Sequence, residues 1–282
     1  MGAAMAANVL RAGHPMAVWN RTPGRAAGLI AAGARELPSP REVAATSDII
    51  LVCVSDTPDV DAVLFGPDGV AQGAASGSLV IDCSTIDPAA TRRFAARLGE
   101  GGVAMLDAPA SGGSEGAQKG TLSIMVGGEA ADVVRARPVL EAMGRAVTHM
   151  GPIGAGQATK AVNQVILAGT YLGVAEGLVL AMKSGLDVQK VVEALSGGAA
   201  QSWVLQNRSG RMIDNAYPLG FKIALHLKDL VIALAMARET GSALPVTAMT
   251  AQIENGLVAQ GHGDDDISAI ARAIRAWSGL ES

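Results

Sequence analysis

Three polar side chains lie on one face of a long apolar helix predicted in the second half of this chain. Lys160 is followed by Asn163 and Gln164 at offsets of three and four residues, so the three are neighbours on the helix surface. Burying an amine and two amides without partners would be costly, so the pattern predicts a polar ligand or a cleft. The alternative is a lysine that only covers a surface between domains.

A glycine-containing loop provides a second candidate site. Residues 107–113 read D-A-P-A-S-G-G and directly follow a predicted strand. Open α/β sheets bind ligands beyond the carboxyl ends of their strands, which is where this loop would lie. The Ser111 hydroxyl can donate a hydrogen bond, while Gly112 and Gly113 let backbone N–H groups close around a carboxylate. The loop therefore predicts a substrate carboxylate site, with an ordinary turn as the alternative.

The beginning of the chain has the pattern of a dinucleotide-binding unit. Gly2 matches the last glycine of the G-x-G-x-x-G fingerprint and opens a helix that leads to a strand over residues 16–19. In such a unit the backbone N–H groups of the fingerprint face the pyrophosphate. We expect the first strand and the other two glycines to lie upstream of Met1, because the sequence as it stands lacks them.

The residues after the strand at 16–19 predict which dinucleotide binds. Asn20 stands eighteen residues after Gly2, near the position of the residue that contacts the ribose. A carboxylate there would repel a 2′-phosphate, whereas an arginine pairs with that phosphate through two hydrogen bonds. Arg21 is the neighbour of Asn20, and Arg25 follows one helical turn later. The sequence therefore favours NADP(H), although NAD(H) remains possible, and a polar turn is the alternative.

The order of the predicted elements divides the chain into two domains. Up to residue 153, short apolar runs alternate with helical stretches, which is typical of an α/β fold with a doubly wound, Rossmann-like parallel sheet, here without its first strand. Glycines in the segment 151–156 mark a boundary, and only helical patterns follow. We predict an NADP-binding domain over residues 1–153 and an all-helical C-terminal domain over residues 154–282, which begins with a long interdomain helix. Predicted strands cover residues 16–19, 49–54, 79–82, 103–107 and 122–126.

Composition and charge argue against several classes of function. The 282 residues carry a net charge of −4 with no basic run, so nothing indicates binding to nucleic acid or to an anionic membrane. Cys53 and Cys83 lie inside apolar runs and are predicted to pack in the core, and no metal-ligand spacing is visible. Residues 161–182 are apolar enough to suggest a membrane span, but polar residues among them favour a buried helix between domains. No leader pattern is visible, which predicts a cytoplasmic location.

A charged pair interrupts an apolar helical pattern later in the chain. Lys228 and Asp229 stand between two apolar runs. On its own such a pair is typical of a solvated helix face or a structural ion pair. The residues alone therefore assign it no function.

Four segments carry a resemblance to a known protein family. They are residues 1–10, 107–122, 154–163 and 221–230. All four are similar to the β-hydroxyacid dehydrogenases, which include 3-hydroxyisobutyrate dehydrogenase and tartronate semialdehyde reductase, and they occur in the family's order. The resemblance implies an NAD(P)-dependent oxidoreductase that moves hydride reversibly between nicotinamide and a small β-hydroxyacid or semialdehyde carboxylate.

The resemblance also implies a role for individual residues. Lys160 would be the catalytic lysine. The implied substrate-binding residues are Ser111, Gly112, Gly113, Asn163 and Gln164, with Gln164 standing where many members of the family have a second asparagine. The cofactor-binding residues would come from the first domain together with one lysine of the helical domain. They are Gly2, Asn20, Arg21, Thr22, Arg25, Val54, Ser55, Asp59, Thr85 and Lys228.

Two other interpretations remain open from the sequence. An imine reductase would share the overall architecture, but that group generally has Asp or Tyr in place of the lysine, so Lys160 argues against it. A non-catalytic dinucleotide-binding protein would accord with the missing strand, but we would expect it to have lost Lys160 or the Ser-Gly-Gly loop. Family likeness further favours a homodimer or homotetramer that acts on a small carboxylate-bearing aldehyde or hydroxyacid.

Overall fold

The chain divides into two compact units. The computed structural model describes residues 1–280, and the division falls between Lys160 and Ala161. The sequence predicted a boundary after residue 153. The division comes later because the long helix that opens the second half starts at Ala155, and its first residues belong to the first unit.

Six of the eight strands of the first unit form one sheet. Their order is β3-β4-β5-β7-β6, with β8 beside β7, while β1 and β2 pair only with each other. The strands are β1 (Ala17–Val18), β2 (Arg35–Glu36), β3 (Ile49–Val52), β4 (Leu79–Asp82), β5 (Ala104–Asp107), β6 (Ala110–Ser111), β7 (Leu122–Gly127) and β8 (Gly144–Gly151). The expected Rossmann-like domain is thus confirmed, with the β1–β2 pair as a separate small sheet.

The large sheet is mixed, whereas the sequence predicted a parallel one. Strands β3, β4 and β5 are parallel, but β7 is antiparallel to both β5 and β6. Only the ten residues 112–121 separate β6 from β7. A crossover between parallel strands needs about a dozen residues or more, so this short connection reverses the chain instead.

Helices cover both faces of the sheet. Leu79 and Ile81 of β4 pack into one apolar cluster with residues of the first and seventh helices, while Val80 packs into a second cluster on the opposite face. Every residue of β4 is buried, as expected for a strand covered on both sides. The helices are α1 (Gly2–Arg11), α2 (Ala27–Ala31), α3 (Pro40–Ala45), α4 (Thr57–Phe65), α5 (Pro88–Gly99), α6 (Gly113–Lys119) and α7 (Ala130–Met143).

Aspartate caps define where the loops after β3 and β4 end. Asp56 caps α4 by accepting the Thr57 N–H, and Asp87 caps α5 by accepting the Ala89 N–H. Each cap is followed by a proline within the first turn, where a missing N–H costs nothing. The two βα loops are therefore short and well defined at the carboxyl edge of the sheet.

The second unit is helical, as predicted. Its core contains Tyr171, Leu172 and Leu178 together with residues of four other helices. After α8 (Ala155–Lys183), the helices are α9 (Val188–Leu195), α10 (Trp203–Ile213), α11 (Ile223–Thr240), α12 (Pro245–Ala259) and α13 (Ile270–Trp277), with a short 3-10 turn over Ile267–Ala269.

Helix α8 is less buried than the sequence predicted. By length and composition it could cross a membrane, with a mean hydropathy of 1.8 over its most apolar window, yet only 39% of that window is buried. Val162, Ile166 and Leu180 are 56%, 62% and 68% exposed. These positions share one helix face, because each lies close to a whole number of helical turns from the next. The predicted burial of this helix is therefore wrong for this apolar face.

Candidate active site

One cavity of the first unit brings together most of the predicted cofactor-binding residues. Its volume is about 1350 Å³, which exceeds the roughly 300–1,000 Å³ typical of ligand and cofactor sites. It lies where the loops after β1 and β3 begin. The predicted residues that line it are Gly2, Asn20, Arg21, Thr22, Arg25, Val54, Ser55 and Asp59. Thr85 lies in the loop after β4 and is not among the lining residues, and Lys228 belongs to the second unit.

The polar end of this cavity contains an ion pair. Arg21 Nη1 lies 2.8 Å from Asp59 Oδ1, so two predicted cofactor contacts are bound to each other. The Asn20 side chain donates to the Thr22 carbonyl at 2.8 Å, which holds the turn after β1. Because the Arg21 side chain is 78% exposed, the ion pair contributes little to stability, and an incoming phosphate could replace the carboxylate.

The other part of the cavity is apolar and runs along one edge of the sheet. It is lined by Met5 and Val9 of α1, Met16 before β1, and Met143 of α7. All four residues of β3 border it, and β3 pairs only with β4. Among the described residues, the backbone groups on the far edge of β3 thus have no partner strand.

Cys53 lies in this cavity wall beside the first helix. A Cβ atom on Gly2 would stand 3.3 Å from the Cys53 Cβ, so the helix approaches the end of β3 closely. Burial raises the pKa of the Cys53 thiol to about 11, although the N-terminal ammonium opposes the rise. Cys53 is therefore a neutral thiol at neutral pH.

Hydrogen bonds join the loops that follow β3 and β4. The Ser84 hydroxyl accepts the Val54 N–H at 2.9 Å, and Asp82 Oδ1 accepts the Ser84 N–H at 2.9 Å. The Thr57 hydroxyl accepts the Asp87 N–H at 3.3 Å. Thr85 thus belongs to one of two loops that are bound to each other.

Asp107 and Gln157 attach the start of helix α8 to the sheet. Asp107 ends β5, and its two carboxylate oxygens accept the N–H groups of Gly154 and Gln157, each at 2.7 Å. Burial raises the pKa of Asp107, and these N–H groups oppose the rise. The Gln157 side chain accepts the Ile86 N–H at 3.1 Å and donates to the Ser84 carbonyl at 2.8 Å. The helix that carries Lys160 is therefore bound to both the β4 loop and β5.

Lys160 itself is buried, with 8% exposure. It follows Gln157 by three residues, so both side chains lie on the same face of α8. The predicted buried amine on an apolar helix is thus present.

The Ser-Gly-Gly loop has the backbone geometry that requires glycine. Gly112 and Gly113 have φ values of +134° and +63°. A Cβ atom on Gly112 would lie 3.1 Å from Leu122 Cδ2, so a side chain there would meet both backbone strain and a close contact. Ser111 ends β6 and is half-buried at the mouth of this loop.

In the second unit, the predicted amides and the charged pair come together. Asn163 Nδ2 donates to Gln164 Oε1 at 2.7 Å, and Gln164 Nε2 donates to Asp229 Oδ2 at 2.6 Å. Lys228 Nζ lies 3.0 Å from Asp229 Oδ1. Asp229 is 3% exposed, so the pair is not on a solvated face.

Comparison with known proteins identifies the family. A model described as the NAD binding domain of 6-phosphogluconate dehydrogenase matches residues 1–151. A second model, described as the NAD-binding domain of NADP-dependent 3-hydroxyisobutyrate dehydrogenase, matches residues 154–274. The chain belongs to the β-hydroxyacid dehydrogenase family. It is thus an NAD(P)-dependent enzyme of the hydroxyacid dehydrogenase and semialdehyde reductase type, and the resemblance inferred from the motifs is confirmed.

Relatives of this β-hydroxyacid dehydrogenase match over nearly the whole chain. The 2-hydroxy-3-oxopropionate reductase of Escherichia coli is 43% identical over 97% of this chain and 94% of its own. The NAD-dependent L-serine dehydrogenase of Pseudomonas aeruginosa is 36% identical over 99% and 96%. The structure of Mycobacterium tuberculosis 3-hydroxyisobutyrate dehydrogenase with L-serine has a TM-score of 0.89 at 34% identity, covering 98% and 96%. An imine reductase from Myxococcus stipitatus, at 23% identity and a TM-score of 0.65, shares the fold alone.

Sequence reasoning missed three residues that hold elements of the candidate site in this β-hydroxyacid dehydrogenase. They are Asp107, Gln157 and Asp229. Asp107 was seen only as the start of a loop, and Asp229 only as half of a charged pair. Gln157 carried no signal of its own, because the partners of its side chain lie more than 70 residues away in sequence.

Proposed function

We propose that this chain transfers hydride between NADP(H) and a small β-hydroxyacid or its semialdehyde, with Lys160 as the general acid and base. The observation that carries the proposal is the burial of Lys160 on a helix whose first turn is bound to Asp107 at the end of β5. A buried amine with a defined backbone position is suited to proton transfer at one atom of a bound substrate.

The proposed role of Lys160 depends on the direction of the reaction. In oxidation its Nζ takes the proton of the substrate hydroxyl, and in reduction it returns that proton to the developing alkoxide. When bound, the nicotinamide supplies or accepts the hydride. The Ser111 hydroxyl and the backbone N–H groups of Gly112 and Gly113 would hold the substrate carboxylate, and Asn163 and Gln164 would add amide contacts.

Residues of the cavity support NADP(H) as the preferred cofactor. Asn20, Arg21 and Arg25 all line this cavity, so two cations and an amide are available to a 2′-phosphate. Gly2 opens α1 next to the end of β3, where the pyrophosphate of a bound dinucleotide would meet backbone N–H groups. Val54, Ser55 and Thr85 are the proposed contacts near the nicotinamide, and Lys228 is the proposed contact from the second unit.

The substrate and assembly are proposed from chemistry and likeness. Relatives named for 2-hydroxy-3-oxopropionate, L-serine and 3-hydroxyisobutyrate all point to a carboxylate with a three-carbon backbone. The exposed apolar face of α8 supports a homodimer or homotetramer, because such faces are usually covered by a partner. We further propose a cytoplasmic location.

Replacement of Lys160 tests the proposal. Lys160→Ala should lower kcat by about two to four powers of ten, because it removes the acid and base, while NADPH binding measured by fluorescence stays near the value of the unmodified protein. Lys183→Ala is the matched control, since Lys183 ends the same helix and is exposed. Near-normal turnover of Lys160→Ala on 3-hydroxyisobutyrate, glycerate and tartronate semialdehyde would remove Lys160 from this role.

A cyclic imine, assayed beside these substrates, tests the imine reductase interpretation. Its reduction without turnover of any hydroxyacid would contradict the proposed function.

A further inference from the structure

One strip of residues runs along the exposed face of helix α8 in the second unit. With 3.6 residues per turn, its six positions point within about 40° of one direction around the helix axis. Its three large aliphatic members are 56%, 62% and 68% exposed, and none of the six residues is charged. We name this set the α8 strip, and it consists of Val162, Ile166, Gly169, Gly173, Gly177 and Leu180.

Three glycines occupy the middle of the α8 strip, although packing within the protomer does not require them. Apart from the backbone of α8 itself, a Cβ atom on Gly173 or Gly177 would meet no atom of the described chain within 4 Å. A Cβ atom on Gly169 would meet Val246 Cγ1 at 3.6 Å, which is an ordinary contact. Glycine is unfavourable inside a helix compared with alanine, but it lets the backbone of a second helix approach closely. The glycines therefore indicate a close approach by a helix from outside the protomer.

The α8 strip has the same pattern in both directions from Gly173. Glycines stand four residues away on either side, at Gly169 and Gly177, and large aliphatic residues stand seven residues away, at Ile166 and Leu180. A two-fold axis pairs a surface with the same surface of a second copy. When two such helices cross antiparallel at Gly173, glycines face glycines, and Ile166 of each copy lies beside Leu180 of the other. The α8 strip is therefore complementary to itself.

A groove next to the α8 strip adds the area that a stable dimer needs. Residues 162–180 span about 28 Å, and a helix is about 10 Å wide, so the strip alone offers roughly 280 Å². A stable interface buries roughly 800 Å² on each partner, so the contact has to extend over a neighbouring apolar surface. Leu180 also lines a groove of about 460 Å³ between α8, α12 and α13, together with Met249 and Trp277, which are 50% and 70% exposed. The strip and the groove thus form one continuous apolar surface.

We propose that this surface is a two-fold interface between two copies of the chain, whose α8 helices cross antiparallel at Gly173. The groove between α8, α12 and α13 of each copy extends the contact, which removes Leu180, Met249 and Trp277 from water. The inference goes beyond the proposed assembly, because it specifies the face, the crossing point and the direction of the helices. It does not depend on the proposed reaction.

The variant Gly173→Leu tests the crossing point. Sedimentation equilibrium should show the unmodified protein as a dimer or as a pair of dimers, and Gly173→Leu should halve that mass. A side chain at the closest approach separates the two helices, so the dissociation constant should rise by about a hundredfold or more. The variant should keep the circular dichroism of the unmodified protein, because the space beside Gly173 is open in the protomer. Gly210→Leu is the matched control, since Gly210 is exposed in α10 and a Cβ atom there also meets nothing within 4 Å, and its mass should not change.

Disulfide crosslinking tests the direction of the helices. In a background with Cys53→Ala and Cys83→Ala, we compare Ile166→Cys, Leu180→Cys and the double variant after oxidation with copper phenanthroline. In the antiparallel crossing, the same residue of the two copies is about 21 Å apart along the helix, which exceeds the roughly 7 Å that a disulfide can span between Cα atoms. Only the double variant should therefore form covalent dimers. Two parallel helices would instead crosslink through each single variant.

Each alternative outcome has a defined meaning. A monomeric unmodified protein, an unchanged mass of Gly173→Leu, or crosslinking of either single variant would overturn the proposal. A monomer that floats with phosphatidylcholine vesicles would show that a membrane covers the α8 strip instead. Hydride transfer is measured separately on the unmodified protein. A dimer with the expected crosslinks but no turnover would contradict the proposed function and still support the interface, whereas turnover with an unchanged mass of Gly173→Leu would overturn the interface alone.

Discussion

Replacing Asp107 should destabilise the first unit by an amount that can be worked out from its contacts. The side chain is 0% exposed and accepts two backbone N–H groups, each at 2.7 Å. A hydrogen bond to a charged group contributes about 1.5–3 kcal/mol, so the loss of two corresponds to about 3–6 kcal/mol. Burial raises the pKa of Asp107, which means that burying its charge is itself costly. The Asp107→Ala variant no longer buries a charge, which offsets part of the loss. We therefore expect its free energy of unfolding to fall by about 3 kcal/mol.

The stability of the Asp107→Asn variant should lie between that of Asp107→Ala and that of the unmodified protein. An amide oxygen can accept one of the two N–H groups, but the amide NH₂ would face the other donor. Both variants should also lower kcat for every substrate, because the first turn of the helix that carries Lys160 is no longer bound to β5. NADPH binding should change less, since Asp107 does not line the cavity proposed for the cofactor.

The assay must report on the first unit alone. The chain has three tryptophans, of which Trp19 lies in the first unit and Trp203 and Trp277 in the second. In a background with Trp203→Phe and Trp277→Phe, urea unfolding followed by fluorescence reports on Trp19. Asp61→Asn, on the exposed side of α4, is the control. Its free energy of unfolding should stay within about 0.5 kcal/mol of the value for the unmodified protein. A loss below about 1 kcal/mol for Asp107→Ala would refute the view that Asp107 holds α8.

Three further predictions concern the first unit. Asp59→Ala should tighten NADPH binding several-fold in a fluorescence titration, because Arg21 is released from its 2.8 Å ion pair, while NADH binding stays constant; equal changes for both cofactors would contradict this. In a Cys83→Ala background, Cys53 should react slowly with a thiol reagent, since a pKa of about 11 leaves about one thousandth of the thiol ionised at pH 8. The rate should keep rising between pH 8 and 10, and a plateau near pH 9 would refute the assignment. Gly112→Ala should lower the free energy of unfolding by about 1–3 kcal/mol and raise KM, because the positive φ of Gly112 strains any other residue. In Gly99→Ala the added methyl group meets no atom within 4 Å, so this control should change neither quantity.

Elements with strong apolar patterns were predictable from the sequence, and elements at the edges were not. The buried strand β4 was predicted with its observed ends, and β3, β5 and β7 within two residues. Strands β2 and β8 were missed because most of their residues are exposed, which leaves no apolar run to detect. Periodicity also carries no information about direction, so the antiparallel β7 could be inferred only from the short connection before it.

Motifs of the candidate site were predictable where the chemistry is local in sequence. The loop at Ser111, the helical spacing of Lys160 and Asn163, and the turn at Asn20 each lie within a few residues. The partners that position them do not. Gln157 bonds to Asp107 across 50 residues, and Gln164 bonds to Asp229 across 65, so no local pattern could have paired them.

Two buried carboxylates hold the same helix on either side of Lys160, and they should affect different quantities. Asp107 binds the backbone of the first turn, so its loss should displace the amine that we propose as the acid and base and should lower kcat whatever the substrate. Asp229 binds a side chain, Gln164, so its loss should leave the backbone of the first turn in place and destabilise the second unit. The double variant of Asp107→Asn and Asp229→Asn should therefore lose stability in both units, and the two losses of unfolding free energy should add, because the two carboxylates share no partner. A loss of first-unit stability caused by Asp229→Asn alone, followed by Trp19 fluorescence, would show instead that both carboxylates act by fixing the position of the helix.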